Sequence, residues 1–316
     1  GMAGFDWGIH KDDPNPANSD LGIPIFANQE AFILRDRFDL VEGLSGWKHD
    51  DTLTGRVVPV NTRVEATGTA AIPAPGQPLY AYSNALLERN VELIDGLDKL
   101  VGHLTAYEEV GRDGVAEMVL FETADASDMI LGGGGSDRIK GLAGNDIIDG
   151  DKWLNVRIRI TTDDGIYTAD GMTKQIFREE DMVNGVLVES AVAQFEGKAL
   201  HMLMLDGVFN PAQLTIVREI VDGNQTGDID TSVYTDVRVN YAFGVNKDGS
   251  LYVEHAPPAS DETDPLTDNI EGVTERPVLD GRDTVRNIER LEFTDMTMNV
   301  INGSSANETL NGDQAG

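Results

Sequence analysis

Residues 123–149 divide into three rows of nine, TADASDMIL, GGGGSDRIK and GLAGNDIID. Asp128, Asp137 and Asp146 share the sixth column, and Ile130, Ile139 and Ile148 share the eighth. An isolated helix repeats about every 3.6 residues and a strand every two, so neither alone explains a period of nine. A loop of six residues followed by a strand of three does explain it. Glycine supplies the backbone conformations that such a tight loop needs. The apolar residue of the eighth column turns inward, where only stacked rows can bury it. Two rows close one turn, which places Asp128 over Asp146 on one edge and Asp137 on the other. The sequence thus predicts a short parallel β-roll.

The second row fits the pattern G-G-x-G-x-D-x-apolar-x throughout, and the third departs from it at Leu142. The first row keeps Asp and Ile without Gly, which predicts an edge coil. A fourth row, GDKWLNVRI, keeps Gly150 and sets Asn155 in the Asp column before the pattern fades. Outside this array, HDDTLTG at 49–55 places Asp51 and Leu53 in the two columns. GSSANETLN at 303–311 has Glu308 where Asp would stand, as in the start of a further array.

Stacked carboxylates repel, and a hard cation that takes carboxylate and carbonyl oxygen removes the repulsion. The expected ion is Ca²⁺. Asp128 and Asp146 would share one ion, and Asp137 would hold a second with the 150–155 loop through Asp151. Backbone oxygens near Gly133, Gly135 and Gly144 would complete the shells. Metal binding and folding of the segment would then be linked.

The chain has 316 residues and a net charge of −31, with 55 acidic residues against 24 Lys and Arg and no Cys. That charge argues against nucleic-acid or anionic-lipid partners. The absence of Cys excludes disulfides, thiolate metal sites and a cysteine nucleophile. No apolar run approaches a membrane span, so no membrane insertion is expected. The start lacks a signal peptide, and the sequence reads as an excised piece of a longer protein. The partners expected are calcium ions and the remainder of the parent polypeptide; the sequence says nothing of oligomeric state.

The expected fold class is mainly β with α additions (α+β), the roll being flanked by an inserted helix and antiparallel strands. Residues 1–55 form an N-terminal β segment with one coil-like motif, and 56–122 an insertion with an extended connector and a helix. The roll occupies 123–160, an α+β flanking region 161–300, and 301–316 the truncated start of a further array. Leu86, Leu87, Ile94, Leu97, Val101 and Leu104 make an apolar stripe that predicts a core-facing helix over 84–104. Further helix is expected around 190–206, strands over 212–222 and 233–254, and within the latter region a hairpin, VNYAFGVNKDGSLYVEH, turning at Lys247-Asp248-Gly249.

Other sites are weaker. Asp222, Asn224, Thr226, Gly227, Asp228 and Asp230 follow the first half of an EF-hand loop, but Val233 stands where the closing Glu belongs, which favours a solvated turn, with a weak or incomplete Ca²⁺ site as the alternative. His10, His49, His103, His201 and His255 show no helical zinc spacing, and no nucleophile elbow or phosphate loop occurs. No catalytic residue is expected.

The segment 123–151 resembles the RTX, or hemolysin-type, calcium-binding repeat of proteins exported by type I secretion. DTVRNIERLEFTDMTM at 283–298 resembles a segment that accompanies such repeats. The resemblance implies a non-catalytic, extracellular Ca²⁺-binding module whose ion acts as a folding switch. LVEGLSGWKHDDTLTG, the repeat, and NPAQLTIVREIVDGNQTGDIDTSVY together resemble the region that accompanies animal-type haem peroxidase domains in large bacterial RTX proteins. That implies association with an oxidoreductase, with a haem peroxidase fragment as the alternative reading. His49-Asp50 is similar to that family's distal pair but lacks its preceding Gln, so His49 is expected at the surface. A Ca²⁺-dependent adhesion or carbohydrate-binding module is a third reading.

Overall fold

Rows that combine a loop with three strand residues give very short strands. The structure, a computed structural model, describes residues 6–23, 35–38, 41–56, 91–101, 107–110, 116–119, 127–223, 227–256 and 280–300. The chain begins with β1 (Trp7–Ile9), β2 (Asn18–Asp20), β3 (Gly43–Ser45) and β4 (Thr52–Thr54). Helix α1 (Leu97–Val101) and the hairpin β5 (Tyr107–Val110) and β6 (Ala116–Val119) precede the nonapeptide strands β7 (Met129–Leu131), β8 (Arg138–Lys140) and β9 (Ile147–Asp149). An excursion follows through β10 (Lys152–Thr162), β11 (Gly165–Ala169), β12 (Phe177–Arg178), β13 (Met182–Val183), β14 (Val186–Leu187), helix α2 (Leu200–Leu205) and β15 (Leu214–Asp222). The remaining strands are β16 (Thr231–Val233), β17 (Tyr241–Val245), β18 (Leu251–His255), β19 (Arg282–Arg286), β20 (Arg290–Glu292) and β21 (Thr297–Asn299). The protein is mainly β with few helices.

One sheet has the order β1-β3-β7-β9-β19-β18-β17, and a second has the order β2-β4-β8-β16-β20-β21. The first five strands of each are parallel to their neighbours. The chain enters the two sheets alternately. Leu44, Ile130, Ile148 and Val285 of one sheet meet Leu53, Ile139 and Leu291 of the other in a shared core. Each is at most 2% exposed, and each buried side chain of this size contributes about 1.5–3 kcal/mol.

Two expectations need correction. The first row is no edge coil, because β7 lies between β3 and β9, with Gly43↔Met129 and Met129↔Ile147 in register. The fourth row does not keep Asn155 in the Asp column, although 153–160 leaves as a strand, as expected. Its residues run on as the eleven-residue β10, paired with β15 from Lys152↔Asp222 to Ile160↔Leu214. Nine consecutive antiparallel pairs outweigh the partial match of that row to the nonapeptide. Asn155 consequently leaves the Asp column; it is fully buried, accepting from Lys11 Nζ at 2.6 Å and donating to Glu219 at 2.8 Å.

The outer face of the first sheet carries Met129, Leu131 and Ile147, which pack on Leu97, Leu100 and Val101 of α1 and on Leu154 of β10. Of the expected helix over 84–104, residues 84–90 and 102–104 lie outside the described residues. So do 57–90, where the extended connector is expected, and the whole of 301–316. The excursion builds its own sheet, ordered β12-β11-β10-β15, with a core of Ile158, Ile160, Tyr167, Leu200, Leu203 and Phe209. Helix around 190–206 reduces to Leu200–Leu205, because Phe195, Glu196 and Gly197 all take positive φ ahead of it. The hairpin β17–β18 turns at Lys247-Asp248-Gly249 and covers β19, while β21 covers β20.

Candidate metal centre

The residue just before each parallel strand is acidic at nearly every level. Along one edge run Asp6, Glu42, Asp128 and Asp146, followed by Asp283, the second residue of β19; along the other run Asp51, Asp137, Asp230 and Glu289. Strand register brings them together across long stretches of chain, and hydrogen bonds join them into ladders. Asp51 accepts from Ala17 N–H at 2.7 Å, Asp137 from Asp51 N–H at 2.7 Å, Asp230 from Asp137 N–H at 2.7 Å, and Glu289 from Asp230 N–H at 2.9 Å. On the opposite edge Glu42 accepts from Asp6 N–H at 2.8 Å, Asp146 from Asp128 N–H at 2.6 Å, and Asp283 from Asp146 N–H at 3.0 Å.

These bonds use one carboxylate oxygen each. The second oxygens of Asp137, Asp146 and Asp230 are buried with no hydrogen-bond partner among the described residues. All three residues are 1% exposed. Buried polar atoms ordinarily find partners. A Cβ at Gly132 would stand under 3.0 Å from Asp137 Oδ2 and from Gly150 O, and one at Gly141 would stand under 3.0 Å from Asp146 Oδ2. Each cradle therefore depends on glycine for its space, and the first combines carboxylate with carbonyl oxygen, the donor set of a hard cation. Gly133, Gly135 and Gly144 shape the loops through φ of 105°, 116° and 121°.

The electrostatics agree. Burial, reinforced by the charges of Asp230, Asp51 and Asp50, pushes Asp137 up to about 9. Burial and the charges of Asp283 and Asp128 hold Asp146 well above the usual carboxylate range. Burial raises Asp230 to about 7 and Glu42 to about 7. The edges hold more negative charge than they can comfortably keep.

The residues expected to act together divide differently. Asp128 meets Asp146, but its carboxylate also receives the Arg56 backbone N–H at 2.8 Å and forms a buried ion pair with the Arg56 guanidinium. Burial still pushes Asp128 up to about 6. Asp137 joins Asp51 and Asp230 in the ladder, and its Oδ2 shares the space beside Gly132 with Gly150 O of the 150–155 loop. Asp151 lies instead with Asp228 and Asp230, one oxygen from each within 4.8 Å of the others. In the EF-hand-like segment Asp222 pairs with Lys152 and Asp230 enters the ladder, while Asn224 and Thr226 lie outside the described residues.

Sequence reasoning missed Glu42, Asp283 and Glu289, and it set Asp230 in an EF-hand-like loop rather than in the ladder. Their signal was an acidic residue two positions before a residue now found in the core or between the sheets. His49 is half-buried with its ring nitrogen 3.2 Å from Asp13 O.

A second polar string joins Asp13, His10, Ser19 and Asp36, at 2.8, 2.8 and 3.1 Å. Its first three members have the bonding order of a hydrolase triad. Ser19 is 1% exposed, and its hydroxyl donates to a carboxylate that would oppose any developing oxyanion. The string reads as a polar clamp between β1, β2 and the chain at 36.

Residues 123–152 match the family model of the RTX calcium-binding nonapeptide repeat (4 copies). No curated protein and no solved structure matches the chain. Among the described residues, no helix is long and apolar enough to cross a membrane.

Proposed function

We propose that the chain is a non-catalytic calcium-binding module of a larger exported protein, built as a five-level β-roll whose folding is coupled to Ca²⁺. One observation carries this reading: acids form ladders along both edges, and in Asp137, Asp146 and Asp230 one oxygen is bonded within the ladder while the other is buried without a partner among the described residues. Asp137 with Asp51 and Asp230, and Asp146 with Asp283, would hold the ions, with carbonyl oxygens of the glycine loops alongside. Ca²⁺ supplies the positive charge that lets these carboxylates stay ionised while buried. The protein's own contribution is the register that stacks them and the glycines that leave room beside them.

Binding of this kind adds stability that rises with the logarithm of ion concentration once this exceeds Kd. The module would stay loosely folded where Ca²⁺ is scarce and close where it is abundant, which suits export before folding through a type I route. Ser19 is buried and its hydroxyl donates to the Asp36 carboxylate, which supports the non-catalytic reading.

Calorimetry and circular dichroism in Ca²⁺ and in chelator test the proposal. Heat of binding and a Ca²⁺-dependent gain of β signal are expected, both reduced in Asp137→Ala and Asp146→Ala. No heat of binding in the parent chain, together with spectra that chelator leaves unchanged, would sink it.

A further inference from the structure

The excursion from β10 to β15 leaves and rejoins the stack at one place. Lys152 pairs with Asp222, and Gly223 N–H donates to Asp151 O at 2.7 Å. Asp151 stands at the outgoing end of this neck, and Asp228 and Asp230 at the returning end. Their three oxygens lie within 4.8 Å of one another.

A cluster of acids alone could be a solvated surface. Here Asp230 is 1% exposed, with one oxygen committed to Asp137 N–H and Oδ2 unpartnered among the described residues. That Oδ2 is aimed at the 150–151 backbone, since a Cβ on Gly150 would stand under 3.0 Å from it. Asp228 Oδ2 is likewise buried without a partner among the described residues. Asp149, Asp222 and Glu289 add negative charge around Asp151. The nearby ammonium of Lys152 is engaged by Asp222.

We propose that Asp151, Asp228 and Asp230 form a Ca²⁺ site that staples the neck of the inserted sheet to the stack. Ca²⁺ sits about 2.3–2.6 Å from its oxygens, so ligands on opposite sides stand roughly 5 Å apart, which suits this spacing without rearrangement. The donors are all carboxylate, with no imidazole or thiolate, which suits a hard ion. The site is not confined to the nonapeptide rows: Asp151 lies at the end of the matched segment 123–152, but Asp228 and Asp230 lie far outside it. Its ion would fix the attitude of the four-stranded sheet rather than hold two repeat loops together.

The test uses the full chain and Ca²⁺ alone. Titration calorimetry should give one ion fewer for Asp228→Asn and for Asp151→Asn than for the parent chain. In chelator both variants should melt at or above the parent temperature, because each removes a repelling charge. Hydrogen exchange should slow on Ca²⁺ addition at 152–162 and 214–223 in the parent but not in Asp228→Asn. Unchanged stoichiometry in both variants, or exchange at the neck that ignores Ca²⁺ in the parent, would overturn the site. The ladder reading is judged separately. Loss of ions in Asp137→Ala with none lost in Asp228→Asn removes only the neck site; loss of a single ion in Asp228→Asn, with none lost in Asp137→Ala or Asp146→Ala, removes only the ladder sites.

Discussion

At the scale of single residues, the buried carboxyls set the stability of the metal-free chain. Asp137 rises from 3.8 to about 9, and Asp230 and Glu42 to about 7. Groups raised in this way bind more protons folded than unfolded, so their contribution falls as pH climbs through that window. In chelator, urea midpoints should be lower at about pH 8 than at about pH 5; the opposite order would contradict the buried placement. Asp137→Asn keeps an oxygen to accept from Asp51 N–H while losing the charge. It should raise the midpoint in chelator at the higher pH and lessen the response to Ca²⁺. Arg56 makes the converse case. Both Arg56 and Asp128 are buried, at 2% and 0% exposure, and Arg56→Ala strands the carboxylate. A loss of about 3–5 kcal/mol is expected by chemical denaturation, with partial recovery in the double variant Arg56→Ala, Asp128→Asn.

At the scale of elements, the strands are too short to persist alone and depend on the levels above and below. Ile139 is fully buried at the centre of the second sheet, and Ile139→Ala should cost about 2–5 kcal/mol in denaturant unfolding. A cost below about 0.5 kcal/mol, the range of surface changes, would speak against a shared core. The same elements show what the sequence made legible. Phase at nine placed Asp128, Asp137 and Asp146, and it extended to Asp51 and Leu53, now in β4 and its preceding loop. It failed at Asn155, where alternation in KWLNVRIRITT wins because β15 supplies a partner that no local reading reveals. It also passed over β16, β19 and β20. Their loops lack the double glycine, Ser232 replaces the apolar residue, and Glu289 replaces Asp. A repeat is recognised by its neighbours in sequence, and these levels have neighbours only in space.

At the scale of the molecule, the same stack is assembled from contacts of very different span. Asp128 and Asp146 are 18 residues apart, whereas Asp51 and Asp137 are 86 apart, Asp137 and Asp230 are 93, and Asp146 and Asp283 are 137. Closing a long loop must precede the reward of pairing it, and chains dominated by such contacts fold slowly. The order of events is therefore built into the topology. The turn from β7 to β9 closes locally and can act as a seed, onto which distant segments are laid from either side. Pulsed hydrogen exchange after Ca²⁺ addition should protect 129–149 first and 231–233 and 282–292 later. Each excursion delays the next level, so this protein should reach its final state in discrete steps, with the time between them set by the lengths of chain held between neighbouring strands.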